Sequence, residues 1–315
     1  MKILLVSQAD SAESWGQGLR ATNLPLPLEI WPDMAVPEEI RYAIAAKPPA
    51  GLLASLPNLR AILSLWAGVD HITSDPDWPQ HIPIYRMIEP GLTGGMVEFV
   101  LSQVLNLHLN NYEITEAQRR KDWLREPRGA FGLEPLVGDR TVGVLGLGEM
   151  GRNSAEMLRR VGFKVIGWSR RQKTLDGIEC LSGTDGLDTL LSCSDILVNL
   201  LPLTPETNGL LNADMLRKLP RGAGLINTGR GQHIVDADLI AVLDEGHLSR
   251  AVLDVFDTEP LPQDHPFWTH PRVTVYPHIA SVTRVKTGVA SLARSLELLE
   301  SGETPAGYFD PDRGY

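Results

Sequence analysis

The sequence predicts an α/β protein of two doubly wound parallel-sheet domains, and three observations carry the prediction. Its 315 residues suffice for two domains that each bury a core. Short β-rich runs alternate with helix-length stretches in two separate series, as expected of parallel strands joined by crossover helices. A glycine-punctuated stretch and a long apolar-striped helix lie between the two series.

The first series offers strands at Lys2 to Ser7, Leu28 to Trp31, Tyr42 to Ala46, Arg60 to Trp66 and Ile82 to Met87, separated by Pro- and Gly-bearing breaks. Gly91, Gly94 and Gly95 then read as a break. Met96, Phe99, Val100, Val104 and Leu107 follow at three- and four-residue spacing, the stripe of a helix that crosses between domains. The second series gives about six strands, near Thr141 to Leu145, Lys164 to Trp168, Asp195 to Leu200, Gly224 to Asn227, Ala251 to Val255 and Val273 to Tyr276. Val289, Leu292, Leu296 and Leu299 mark a last helix that returns the chain to the first domain. The expected domains are therefore 1–95 with 282–315, and 96–281.

Composition removes several function classes. With 29 basic and 39 acidic residues the formal net charge is -10, so no global positive field draws nucleic acid or an anionic membrane, and neither is expected as a partner. The hydrophobic fraction of 43 % and charged fraction of 22 % are those of a folded chain. Cys180 and Cys193 form no CxxC pair, so neither a disulfide framework nor a zinc site is expected, no metal is called for, and a reducing compartment fits. The apolar run at Ile3 to Val6 is too short for a secretory signal, and no stretch approaches a membrane span, which points to the cytoplasm.

Chemistry enters with Gly146-Leu147-Gly148-Glu149-Met150-Gly151, a GxGxxG between a strand and an amphipathic helix. Gly146 permits the tight turn, Gly148 lets backbone N–H groups approach a pyrophosphate, and Gly151 lets the helix pack on its strand. The helix N-terminus adds the positive end of a dipole, so a dinucleotide is expected here. The next strand ends in Trp168-Ser169-Arg170-Arg171-Gln172-Lys173, where an acid would bind the ribose hydroxyls of NAD. A hydroxyl and three cations stand there instead. In an acidic protein this run suits the 2′-phosphate of NADPH, with NADH the weaker coenzyme; a solvated turn is the other reading. Farther on, Arg230 sits between Gly229 and Gly231 after a strand, Asp254 lies near the end of the next strand with Glu259 after it, and His278 follows the one after. Arginine, carboxylate and histidine at the ends of three successive strands form the set needed to reduce a carbonyl beside a carboxylate.

With GLGEMG, NTGRGQ, LDVFDTEPL and PHIAS in that order, the chain resembles the D-isomer-specific 2-hydroxyacid dehydrogenases over essentially its whole length. It is most similar to the glyoxylate/hydroxypyruvate reductase A branch, through LWAGVD at Leu65 to Asp70, WSR at Trp168 to Arg170, LPLTPET at Leu201 to Thr207, PRVTVYPH and the terminal Arg313-Gly314-Tyr315. The resemblance implies two Rossmann-like/flavodoxin-like domains with the active site in the cleft between them. It also implies an NADPH-preferring reductase that converts glyoxylate to glycolate and hydroxypyruvate to D-glycerate. Arg230 would hold the substrate's carboxylate and carbonyl oxygen, and His278 would be the general acid, its pKa raised by Glu259. Asp254 would hold the nicotinamide amide, and Met150, Pro202 and Thr207 would join Gly146, Gly148, Gly151, Ser169, Arg170 and Arg171 around the coenzyme. Trp66, Ala67 and Gly68 would meet the substrate from the first domain. A homodimer is implied, with the helix from Met96 and its continuation through Trp123 as the contact.

Two positions depart from the branch pattern. Trp66 stands before Ala67 where glycine is usual; it either narrows the pocket toward small substrates or closes a core. Lys47, in Ala46-Lys47-Pro48-Pro49, replaces an aromatic residue and either adds a cation near the substrate or is solvated. Other D-2-hydroxyacid substrates, a dinucleotide-binding sensor or corepressor on the same fold, and a nucleoside-cofactor methyltransferase remain alternatives; the last leaves NTGRGQ and PHIAS without a role.

Overall fold

A computed structural model describes residues 1–34, 36–123, 135–311 and 314. Arg313 and Tyr315 of the terminal motif lie outside the described residues. The chain divides into two units, Met1–Gly94 with Val282–Tyr315, and Gly95–Ser281.

The first unit holds a five-stranded sheet. Its strands are β1 (Lys2–Ser7), β2 (Leu28–Ile30), β3 (Ile40–Ala46), β4 (Ala61–Ser64) and β5 (Ile84–Tyr85). They lie in the order β2-β1-β3-β4-β5, every pairing parallel. Strand order reverses between β1 and β3, so the loops leaving their carboxyl ends border a natural ligand crevice. Leu4, Val6, Ala43, Ala45 and Ile62 pack with Leu53, Ile72 and Phe309 in one core. The expected strand Arg60 to Trp66 is shorter because the chain turns after Ser64, whose Oγ accepts the Trp66 N–H at 2.9 Å.

The second unit holds a seven-stranded sheet. In chain order the strands are β6 (Thr141–Leu145), β7 (Lys164–Trp168), β8 (Glu179–Leu181), β9 (Ile196–Asn199), β10 (Ala223–Asn227), β11 (Leu248–Leu253) and β12 (Val273–Val275). Their order is β12-β11-β10-β9-β6-β7-β8, again all parallel, with the switch point between β6 and β9. Successive residues serve opposite faces: Leu197, Leu225 and Leu253 enter one core, and Val198, Ile226 and Val252 enter another. Cover on both faces is why these strands read as continuous apolar runs. The seventh strand, β8, carried no such signal; it is a short edge with no fully buried residue.

The glycines expected to break the chain lie inside a helix, Pro90–His108. Proline is favoured at a first helical position, and Glu89 Oε2 accepts the Gly91 N–H at 2.6 Å, which satisfies an end donor. Gly91 and Gly95 answer to crowding instead, since a Cβ would lie 2.9 Å from Thr287 Oγ1 at Gly91 and 2.8 Å from Ser281 Oγ at Gly95, whereas a Cβ at Gly94 would meet nothing within 4 Å. The expected continuation through Trp123 is also corrected. Asn110 takes a left-handed φ of 52°, a separate helix runs over Asn111–Arg119, and Trp123 lies beyond it. Among the described residues no helix is long and apolar enough to cross a membrane, and no three His, Cys, Asp or Glu side chains cluster as a metal set.

Candidate active site

The coenzyme cradle follows β6. Gly146 has φ 96°, and a Cβ there would lie 2.7 Å from the Leu200 carbonyl oxygen, so the turn requires glycine. At Gly151 a Cβ would sit 1.7 Å from the Gly146 oxygen, as helix Glu149–Val161 closes against the loop. Gly148 differs, because a Cβ there would meet no protein atom within 4 Å. Its freedom is open space at a helix N-terminus, which is the space a pyrophosphate needs. The residues present therefore fit a dinucleotide.

Beyond β7, Ser169 is partly exposed and Arg170, Arg171 and Lys173 are exposed. Ser169 Oγ donates to the Arg171 carbonyl at 2.7 Å, which folds the run on itself. Lys173 Nζ donates to the Leu147 carbonyl at 2.5 Å, so one of the three cations is tethered to the glycine loop. The exposed Glu206 is held below the usual carboxylate range by a hydrogen bond from Thr204, with Arg170 contributing. Thr207 Oγ1 donates to the Pro202 carbonyl at 2.8 Å in the loop after β9.

Arg230, Glu259 and His278 stand at the carboxyl ends of the adjacent strands β10, β11 and β12. Gly231 makes this possible: a Cβ there would lie 1.8 Å from the Phe256 carbonyl carbon, so the arginine loop presses on the turn that leads to Glu259. Glu259 uses both oxygens. Oε1 accepts the Phe256 N–H at 2.9 Å and Oε2 contacts His278 Nδ1 at 2.7 Å. This pairing leaves Nε2 as the ring nitrogen that can serve a ligand. The hydrogen bond it donates to Glu259 holds the His278 imidazolium above its ordinary range, against burial and the charge of Arg230. Burial would raise Glu259, but its bonds from His278 and the Phe256 N–H outweigh that and leave it low. A lowered carboxylate facing a raised imidazole favours the charged pair, carboxylate with imidazolium.

His278 itself sits at φ 54°, in the left-handed region that side chains seldom adopt. Asp254, 2 % exposed, holds the turn in place. Its Oδ1 accepts Ile279 N–H at 2.8 Å and Ala280 N–H at 3.0 Å, and its Oδ2 accepts Ala280 N–H at 3.0 Å. Burial raises its pKa, and those two amides oppose the rise. The contacts Asp254 makes are thus to the histidine turn, and Oδ2 keeps acceptor capacity for a carboxamide.

In the first unit the loop Trp66-Ala67-Gly68 follows β4, next to the β1/β3 switch point. Trp66 is half-buried; its indole N–H donates to Asp10 Oδ2 at 2.7 Å, and its ring meets His71 edge-on at 4.4 Å. Ser64 Oγ, fully buried, contacts the Trp66 and Gly68 carbonyl oxygens at 2.8 and 3.2 Å and His71 Nε2 at 3.0 Å. Lys47, at φ 48°, donates its backbone N–H to His71 Nδ1 at 3.1 Å. These partners place Trp66 in a polar brace at the sheet's carboxyl edge rather than in the core. Sequence reasoning did not find Asp10, Ser64 or His71, nor the asparagines Asn199 and Asn227 behind Arg230. The signal available was a polar residue closing an otherwise apolar strand.

Comparison with known proteins agrees with this geometry. Residues 101–280 match the model of the D-isomer specific 2-hydroxyacid dehydrogenase NAD binding domain. A glyoxylate/hydroxypyruvate reductase A from Serratia proteamaculans is 38% identical, with 100% of each chain covered. Among solved structures, a D-isomer specific 2-hydroxyacid dehydrogenase from Xanthobacter autotrophicus Py2 in complex with NADPH and MES superposes with a TM-score of 0.93 at 39% identity, covering 100% of this chain and 99% of that one. The NADPH-dependent glyoxylate/hydroxypyruvate reductase from Sinorhizobium meliloti, in complex with NADP and sulfate, gives 0.90 at 33% identity with 100% of both chains covered. The chain therefore belongs to the D-isomer specific 2-hydroxyacid dehydrogenase family.

Proposed function

We propose that the protein is an NADPH-preferring reductase of small 2-oxoacids, taking glyoxylate to glycolate and hydroxypyruvate to D-glycerate. The observation that carries this reading is the His278–Glu259 pair, closed at 2.7 Å beside Arg230, at the ends of three adjacent strands of one sheet. Arg230 binds the substrate's carboxylate and carbonyl oxygen, which neutralises the ground-state anion and the charge that grows on oxygen during reduction. His278 gives the proton on Nε2 to that oxygen, and Glu259 steadies the imidazolium until it does. A bound reduced nicotinamide supplies the hydride for the 2-carbon; the keto acid gains one hydride and one proton and becomes the 2-hydroxyacid. Gly146, Gly148, Met150, Gly151, Pro202 and Thr207 hold the coenzyme, Ser169, Arg170 and Arg171 take its 2′-phosphate, and Asp254 accepts from its carboxamide. In the first unit Trp66, Ala67 and Gly68 form the substrate loop, and Trp66 limits substrate size.

The support for NADPH is the basic run after β7, together with the coenzymes of the related Xanthobacter and Sinorhizobium enzymes. Free Cys180 and Cys193 support a reducing compartment, the cytoplasm. Leu109 and Ile114, exposed near the junction of the two consecutive helices, support assembly as a homodimer, which sedimentation equilibrium tests. The function itself is tested by mixing the protein with NADPH and glyoxylate and following loss of reduced-nicotinamide absorbance. Steady turnover that is lower with NADH is expected; no turnover with any short 2-oxoacid would overturn the reading.

A further inference from the structure

Behind Arg230 lies a polar cluster with no water-exposed member. Asn199 closes β9, Asn227 closes β10, and His233 follows the arginine by three residues; all three are 0 % exposed. Together they grip both sides of the Arg230 peptide. Its N–H donates to His233 Nδ1 at 3.2 Å, and its carbonyl accepts from Asn227 Nδ2 at 3.0 Å. Asn227 Oδ1 in turn accepts from Asn199 Nδ2 at 2.9 Å and from the Gly229 N–H at 3.2 Å.

The chemistry of the partners fixes every proton in this cluster. A backbone N–H can only donate, so Nδ1 of His233 is a lone-pair acceptor. Asn199 Oδ1 accepts the Leu201 N–H at 3.2 Å, which orients that amide so that its Nδ2, 2.8 Å from His233 Nδ1, donates as well. On the ring's other side Nε2 lies 3.1 Å from the Pro202 carbonyl, which can only accept, so Nε2 carries the hydrogen. The ring is a neutral, single tautomer; a proton added to Nδ1 would face two donors. Gly229 completes the fit, since a Cβ there would lie 3.0 Å from Nδ1 and 2.9 Å from the Leu201 carbonyl oxygen.

We infer that His233 is a positioning residue: with Asn199 and Asn227 it sets the Arg230 peptide, and through Pro202 it ties the arginine loop to the loop after β9. The inference rests on the reading of Arg230 as the substrate-holding residue. A pinned peptide narrows the directions open to a long side chain, and a guanidinium displaced by about 1 Å loses its paired hold on a keto acid.

The test compares the purified full-length protein with His233→Leu, His233→Asn and Arg230→Gln variants, each with its thermal midpoint recorded. His233→Leu leaves the Arg230 N–H without its acceptor and is expected to raise the KM for glyoxylate about tenfold or more while the KM for NADPH changes by less than about threefold. His233→Asn keeps an acceptor near the Nδ1 position and is expected to recover a substantial part of that loss. Equal rises in both KM values, or no rise in either, would overturn the inference. Near-normal turnover by Arg230→Gln would instead overturn the reading of the site, so the two failures are distinguishable. A readout that survives poor folding of the variants is the nitrogen spectrum of histidine-labelled wild-type protein. Among the rings with a proton on Nε2 and none on Nδ1, one signal is expected to be absent from His233→Asn and is thereby assigned to His233; a proton on Nδ1 of His233 at neutral pH contradicts the proposed tautomer.

Discussion

Replacing His278 by glycine and by alanine separates two costs that the native residue combines. The ring pairs with Glu259 at 2.7 Å, and the two side chains are 50% and 35% exposed, so their pairing contributes at most about 1 kcal/mol to stability after solvent screening. The backbone at φ 54° works the other way, at about 1–2 kcal/mol for any residue with a Cβ. His278→Ala loses the pair and keeps the backbone strain. His278→Gly loses the pair and sheds the strain, less the larger chain entropy that glycine loses on folding, about 0.5–1 kcal/mol. The glycine variant is therefore expected to be the more stable of the two by about 1 kcal/mol, the reverse of the usual order, read as a denaturant midpoint with unchanged slope. Both variants lack the proton donor and should lose at least about a hundredfold in kcat with NADPH and glyoxylate. Alanine more stable than glycine would refute the strain argument, and turnover near wild type in either would refute the role of His278.

Three further outcomes follow from the same geometry. Glu259→Gln removes the partner that raises His278, so the alkaline limb of the reduction profile should move to lower pH. In the wild type that ion pair stabilises the fold fully below the unfolded histidine pKa and is lost as pH rises through the higher folded value; an unmoved profile in the variant would contradict the pairing. Replacing Arg170 and Arg171 together by glutamine should lower the ratio of NADPH to NADH efficiency by about tenfold to a hundredfold, the worth of one or two charge-assisted bonds; an unchanged ratio would return the run to a solvated turn. Trp66→Gly opens the braced loop and should raise efficiency for longer 2-oxoacids relative to glyoxylate, whereas unchanged relative efficiencies would remove Trp66 from the pocket.

The parts of this molecule that the sequence made legible are those governed by local rules. Strands such as Thr141–Leu145 and Lys164–Trp168 were readable because a parallel sheet covered on both faces demands continuous apolar runs. The cradle was readable because close approach admits only glycine at Gly146 and Gly151, and Gly148 leaves open the space a pyrophosphate needs. Gly91 and Gly95 read as a break for the same reason: glycine that yields to a crowded neighbour looks, in sequence, like glycine that ends a helix. The short edge strand Glu179–Leu181 has no fully buried residue and so no pattern. Arg230, Glu259 and His278 stood out by following three strands, but the buried groups that hold them did not. Asn199, Asn227 and His233 are indistinguishable from turn residues until the fold brings their strands side by side. Nor does any local signal reveal that His278 occupies a left-handed backbone, which depends on Asp254 gripping the next two amides.

A structure of the protein with NADPH and an unreactive 2-oxoacid analogue tests the central claim most directly. The account predicts the analogue's carboxylate on the Arg230 guanidinium and its keto oxygen about 2.6–3.2 Å from His278 Nε2. An analogue seated with its 2-carbon far from that imidazole, or with its carboxylate held by groups other than Arg230, would contradict it.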